Sequence, residues 1–170
     1  EVIVFDHTLR SDDPRIRKSN NTREPASVVH NDYTDRSARK RLREIAPQQA
    51  DRLAQRRYAI VNVWRPLKHP VTTSPLALCD GKSIDSDDLV PTERRARERT
   101  GELALVKFNP ASRWFYFPGV APDEVILIKT FDSLDDGRTR FSTHTAFEDP
   151  DAPDNAPPRE SIESRSFVFF

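Results

Sequence analysis

Leu103-Ala-Leu-Val-Lys-Phe108, Trp114-Phe-Tyr-Phe117 and Val125-Ile-Leu-Ile-Lys-Thr-Phe131 are three short apolar runs in close succession. Asn109-Pro110 and Pro118-Gly119 supply turn residues between them. Successive side chains of an extended chain point to opposite faces, so Trp114 and Tyr116 are predicted to face one side and Phe115 and Phe117 the other. Large apolar groups on both faces suit a strand within a two-layer sheet packing. Downstream, Phe141 to Phe147 reads as a fourth strand, Asp149 to Pro158 as a Pro/Asp-rich loop, and Ser161 to Phe170 as a last strand.

Upstream the pattern is mixed. Val2 to Phe5 reads as a strand, Ser11 to Asn21 as a polar loop, and Ser27 to Tyr33 as a strand running into a turn. Beyond Asp35, Ala38, Leu42 and Ile45 fall at i, i+4 and i+7, one apolar helical stripe. Pro47 interrupts it, and Gln48 to Arg57 is predicted as a short helix carrying Leu53. Tyr58 to Trp64 returns to strand and ends at Pro66. Pro75 to Leu78 is another short strand; Asp80 to Arg99 is charged and irregular, with a helical turn over Glu93 to Arg99. The predicted class is mainly β with added helices, a sandwich or jelly roll.

The 170 residues fit one domain, 1–170. Lys+Arg and Asp+Glu are both 27, so no net field draws the chain to nucleic acid or an anionic membrane. The basic run Arg36, Arg39, Lys40, Arg41 and Arg43 reads as a solvated helix face. Cys79 is the single cysteine, which rules out an internal disulfide and favours a reducing, cytoplasmic setting. No apolar run approaches membrane-spanning length. Four glycines, at 81, 101, 119 and 137, assemble neither a phosphate loop nor a dinucleotide fingerprint. No Gly-x-Ser-x-Gly elbow is present. The chain opens inside a strand and contains no Met, so a missing N-terminal part is expected.

Four histidines are available: His7, His30, His69 and His144. His30 stands two residues before Asp32, and in a strand those positions share a face. An imidazole and a carboxylate there can reach one metal ion. A third ligand from another strand would complete a two-His, one-carboxylate set with open positions. His144, inside the strand-like Phe141–Phe147, is the chosen third ligand. Fifteen residues on, Arg159-Glu-Ser161 places a guanidinium and a hydroxyl on one face, a fork suited to a carboxylate. Arg-x-Ser also occurs at Arg17 and Arg140, so order and spacing carry the reading rather than any one motif. The plainer readings are a turn-capping Asp32 beside a half-buried His30, a core histidine at His144 and a surface Arg159. Asn62 and Trp64 alternate with Val61 and Val63; Asn62 is a candidate cosubstrate contact, and an ordinary polar strand face is the alternative. His7 reads as a strand-end or supporting histidine, and His69 as loop.

Longer blocks carry a family resemblance. They are Val4-Phe-Asp-His-Thr8, Val29-His-Asn-Asp-Tyr-Thr34, Val61-Asn-Val-Trp-Arg-Pro-Leu67 and Pro75-Leu-Ala-Leu-Cys-Asp80. Trp114-Phe-Tyr-Phe-Pro118, Asp123-Glu-Val-Ile-Leu-Ile-Lys-Thr-Phe-Asp-Ser133, His144-Thr-Ala-Phe147 and Pro158-Arg-Glu-Ser-Ile-Glu163 continue it. Together they resemble the fungal and bacterial hydroxylase/desaturase family of Fe(II)/2-oxoglutarate-dependent oxygenases. That group includes gibberellin desaturase-like proteins, the cephem methoxylase component and meroterpenoid endoperoxidases. The resemblance implies a double-stranded β-helix and the use of Fe(II), 2-oxoglutarate and O2 on a small-molecule secondary metabolite. It implies metal ligation by His30, Asp32 and His144. It places the cosubstrate-binding arginine within Arg159 to Arg165, with Arg159 preferred, Arg165 the competitor and Ser161 beside them. Family members are usually longer at the N-terminus. A non-catalytic partner of a methoxylase-type complex is the alternative function, and a metal-free ligand-binding sandwich the third.

Overall fold

A computed structural model describes residues 1–95 and 100–170. In chain order the strands are β1 (Val2–Ser11), β2 (His30–Asn31), β3 (Tyr58–Pro66), β4 (Leu76–Cys79), β5 (Leu89–Arg95), β6 (Thr100–Val106), β7 (Trp114–Tyr116), β8 (Ile126–Asp132), β9 (His144–Ala146) and β10 (Glu160–Phe169). The α-helices are α1 (Pro14–Asn20), α2 (Asp35–Ile45) and α3 (Ala50–Ala54). Among the described residues the strands form two antiparallel sheets, ordered β1-β10-β3-β8 and β5-β6-β2-β9-β4-β7. Trp64, Ile126 and Ile128 of the first sheet pack with Leu76 of the second, closing a jelly-roll sandwich. No helix among the described residues is long and apolar enough to cross a membrane.

The helices close one end of the sandwich. Thr34 caps α2 through a capping box with Ser37, fixing the helix start just after the β2 turn. Ala38 and Leu42 of α2 and Leu53 of α3 then bury against Tyr58, Ile60, Phe131, Phe167 and Phe169. Arg36, Arg39, Lys40 and Arg43 of α2 are exposed, with Arg36 paired to Glu102 and Lys40 beside Glu44, whereas Arg41 folds back over the Phe5 ring.

Period two along β3 and β10 decides what enters the interior. Tyr58, Ile60, Asn62, Trp64 and Pro66 of β3 are all buried, and so are Ser161, Glu163, Arg165, Phe167 and Phe169 of β10. The same face therefore carries Phe167 and Phe169 at one end and three polar groups at the other. β8 has an irregularity opposite Ile60/Val61, where the extra Thr130 donates its hydroxyl to the Ile60 carbonyl. That bulge turns Phe131 inward beside Ile60, while Ile128 faces Asn62.

Several expectations need correcting. Ser11 to Asn21 is not all loop: Asp13 accepts from the Arg15 amide, Pro14 opens α1, and Asn21 closes it at φ +50°. The strand predicted over Ser27 to Tyr33 is confined to β2. Leu89 to Arg95 is strand, so Glu93 to Arg95 is extended through its pairing with β6; the rest of the predicted helical turn lies outside the described residues. Trp114 to Phe117 is strand-like as expected, but β7 is an edge strand and all four aromatics are exposed. Large groups on both faces there mark an uncovered edge, not an interior strand.

Asp132 ties the end of β8 to the chain before β3. Its carboxylate accepts a fork from Arg57 (Nε 3.2 Å, Nη2 2.8 Å), the Lys129 ammonium at 3.1 Å and the Leu134 amide at 3.0 Å. Burial pushes this carboxyl up, but those donors outweigh it and hold the pKa down to about 2. A depressed carboxylate stabilises the fold above its unfolded pKa and loses that contribution as pH falls through the folded one. Asp132→Asn is expected to cost about 1–2 kcal/mol at pH 7, discounted for the partly exposed Arg57. In urea unfolding curves the gap between wild type and variant should shrink steadily between pH 4 and pH 2. A gap that stays constant over that range would show that the pair is not electrostatic in origin.

Candidate metal centre

Strand register brings the two histidines together. β2 and β9 pair so that His30 lies directly opposite His144, with ring centroids 4.6 Å apart. β2 ends at Asn31, and Asp32 follows in the bend, still on the His30 side. One ligand-type atom from each of His30, Asp32 and His144 lies within 4.8 Å of the others. Asp32 Oδ1 sits 3.4 Å from His30 Nε2. Asn31 faces the opposite way and donates to the Tyr33 carbonyl at 2.6 Å and the Thr130 carbonyl at 2.9 Å. It anchors the ligand-bearing bend to the opposite sheet.

Each imidazole is already oriented. His30 Nδ1 lies 2.8 Å from the Val28 carbonyl and His144 Nδ1 lies 2.9 Å from the Ser142 carbonyl. A carbonyl only accepts, so in both rings Nδ1 carries the proton and donates it. Nε2 of each ring is thereby turned toward the cluster, the orientation in which a histidine serves a metal. Burial, with the help of His30, lowers the His144 pKa to about 4, so this ring is neutral at pH 7. Burial also lowers His30, but the hydrogen bond and charge of Asp32 outweigh it and raise the pKa. Asp32 is pushed up by burial and pulled further down by Arg165 and the two imidazoles, which keeps it well below the usual carboxylate range. His144 is thus a neutral donor, and His30 becomes one by releasing its second proton to an incoming cation. With the Asp32 carboxylate they form a set on a single side of a buried pocket that fits a divalent iron-type ion.

The other sequence candidates divide into two groups. Asn62 and Arg165 are directly opposite each other on β3 and β10, and both reach Asp32. Asn62 Nδ2 donates to Asp32 Oδ2 at 2.7 Å, and Arg165 Nε donates to the same oxygen at 3.2 Å. Arg165 also contacts Asp6 Oδ2 at 2.7 Å, the Thr8 hydroxyl at 2.9 Å and the Glu163 carboxylate. In this arrangement both residues hold the Asp32 carboxylate. Arg159 and Ser161 form the second group. Arg159 is buried, its Nε 3.2 Å from Ser161 Oγ and its Nη1 2.5 Å from the Ser74 carbonyl. Ser74 holds φ at +46°, a strained left-handed backbone that aims this carbonyl. The guanidinium lies 5.0 Å over the Trp64 ring and has no carboxylate partner among the described residues. Burial lowers its pKa to about 10, so it remains a cation at pH 7.

Of these two groups only Arg159 borders the cavity beside the histidines, about 280 Å³ counting its open mouth. His30, His144, Trp64, Arg159, Arg10 and Glu163 line it. Sequence reasoning missed Arg10 and Glu163. The signal was available: once Phe167 and Phe169 are taken as core, period two places Arg165, Glu163 and Ser161 on the same inward face. His7 lies on the outer face against Ser164, and His69 is exposed, so neither belongs to the site. A larger hollow of about 900 Å³ lies beside α2 and α3, lined by Arg39, Arg43, Arg56 and Arg57, and contains none of these groups.

Known proteins share this arrangement of chain. A family model described as an oxidoreductase/YMDC permease-like domain matches residues 1–169. The "Fe(II)/2-oxoglutarate-dependent dioxygenase nvfI" of Aspergillus novofumigatus is 38% identical over 162 residues, covering 92% of this chain and 58% of that protein. The "Hydroxylase/desaturase asaB" of Aspergillus flavus is 42% identical over 136 residues, covering 72% and 60% respectively. The solved structure of the "iron and alpha-ketoglutarate-dependent endoperoxidase NvfI" superposes with a TM-score of 0.91 at 34% identity, covering 99% of this chain and 62% of that one. The chain thus spans about three-fifths of the length of these relatives. With the matching fold and a two-His, one-carboxylate cluster inside it, the chain belongs to the fungal hydroxylase/desaturase family of Fe(II)/2-oxoglutarate-dependent oxygenases.

Proposed function

We propose that residues 1–170 act as a single oxygenase domain that oxidises a small-molecule secondary metabolite by hydroxylation or desaturation. The observation that supports it is the convergence of His30, Asp32 and His144 with both Nδ1 atoms already committed to backbone carbonyls. His30 Nε2, Asp32 Oδ1 and His144 Nε2 hold Fe(II). Bound Fe(II) with 2-oxoglutarate and O2 supplies oxidative decarboxylation to succinate and CO2, and with it the power to attack an inert C–H bond. The protein's own part is positioning and exclusion. Arg159 offers an unpaired buried cation to the far carboxylate of the cosubstrate, with Ser161 as a second donor. Trp64 stacks beneath that guanidinium and holds it flat. The apolar walls contributed by Leu76 and Ala146 keep water from the reacting atoms. Cytoplasmic placement rests on the single unpaired Cys79.

An anaerobic titration with Fe(II) and 2-oxoglutarate is expected to give a weak visible charge-transfer band. His144→Ala should abolish both the band and the conversion of 2-oxoglutarate to succinate. A wild-type chain that binds neither component at millimolar concentration would belong instead to the non-catalytic class of partner proteins.

Arg159→Leu should separate cosubstrate from metal. Losing a charge-assisted fork of about 2–3 kcal/mol corresponds to a roughly 30- to 160-fold weaker 2-oxoglutarate affinity. Metal affinity measured without cosubstrate should stay near the wild-type value. Unchanged 2-oxoglutarate affinity would transfer the role to another cation lining the cavity, Arg10 first.

A further inference from the structure

Asp32 presents two oxygens, and the structure treats them differently. Oδ1 faces His30 Nε2 at 3.4 Å. Oδ2 accepts from Asn62 Nδ2 at 2.7 Å and from Arg165 Nε at 3.2 Å. These two donors arrive from adjacent strands of the opposite sheet, where Asn62 and Arg165 are direct cross-strand partners. Asn62 is completely buried, and Arg165 is fixed in turn by Asp6, Thr8 and Glu163. Neither donor can swing away without leaving a buried polar group unmatched, so the pair is a rigid clamp.

We propose that Asn62 and Arg165 are positioning residues that hold Asp32 Oδ2, so that Asp32 offers a metal Oδ1 alone. The inference rests on the metal-centre reading above. A carboxylate that takes both oxygens to a metal occupies one more coordination position than a single-oxygen ligand. The clamp therefore keeps a position open for cosubstrate or O2. It also joins the two sheets at the ligand: His30 and His144 come from one sheet, and the groups that orient Asp32 come from the other.

The test uses Co(II) as the probe, with binding constants, visible absorption and thermal midpoints measured on the same samples. Asn62→Leu keeps volume and removes the donor; Arg165→Lys keeps charge and removes Nε. Loss of such an orienting partner is expected to weaken Co(II) binding 10- to 100-fold. The ligand-field band should change shape as the coordination number changes, a signature that simple loosening of the fold would not produce. Binding within twofold of wild type with an unchanged band would overturn the clamp. Should either variant fail to fold, the wild-type protein still decides it. With 13C-labelled aspartate, the metal-minus-apo infrared difference should show the wide carboxylate splitting of single-oxygen ligation; a narrow, two-oxygen splitting overturns the proposal. A wild-type chain that binds no Co(II) refutes the metal centre itself, whereas normal wild-type binding with indifferent variants refutes only the clamp.

Discussion

The Asp32 carboxylate lies between two sheets, and a charge in that position has to be neutralised on both of its oxygens. Transfer of a bare carboxylate from water into a protein interior costs several kcal/mol even after relaxation. Here one oxygen is met by Asn62 and Arg165 and the other faces the imidazoles. Much of the surrounding polar structure follows from that single requirement. Arg165 is itself a buried cation, and it is matched by Asp6 and Glu163 as well as Asp32. Burial first, and then the charge of Asp32, raise the Glu163 pKa against the pull of Arg165.

Two buried arginines, Arg159 just before β10 and Arg165 within it, show how surroundings divide labour. Arg165 is surrounded by carboxylates and is raised above its ordinary pKa despite burial. Among the described residues Arg159 touches a hydroxyl, a carbonyl and an indole, with Asp12 and Glu163 acting on it through charge alone, and burial lowers its pKa. A buried cation with no anion is costly unless an anion arrives with a ligand. This contrast, rather than spacing in the motif, distinguishes the carboxylate-paired Arg165 from Arg159, whose hydrogen bonds go to a hydroxyl and a carbonyl.

Local irregularities in the backbone keep core and site apart on the same strands. β1 breaks register between Val4 and Asp6: Ile3 and Phe5 pack against the helix-covered core, while Asp6 and Thr8 face the polar cluster. The Thr130 bulge performs the same division on β8, sending Phe131 to the core and leaving Ile128 level with Asn62. Without these one-residue insertions a strict alternation running on from Ile3 and Phe5 would turn Asp6 and Thr8 away from the polar cluster, and one running on from Ile126 and Ile128 would turn Phe131 away from the core.

Much of this was legible from the residues. The α2 stripe of Ala38, Leu42 and Ile45, the strands β3, β8 and β10, the turn at Pro118-Gly119 and the loop at Asp149 to Pro158 all follow from periodicity and turn chemistry. The set His30, Asp32 and His144 was picked out by strand setting and resemblance, and the fold brings those three side chains together. Edge status was not legible: Trp114 to Phe117 has the composition of an interior strand, and only the strand order places it at the edge of its sheet. The short α1 was masked by its polar composition, although Asp13-Pro14 is a helix-start signal. The partners of Asn62 and Arg165 were beyond reach for a different reason. Their contact with Asp32 joins residues 30 and 133 positions apart across two sheets. A one-dimensional pattern specifies which face a side chain takes; which group waits opposite that face is settled by how the sheets pack and by the register that packing selects.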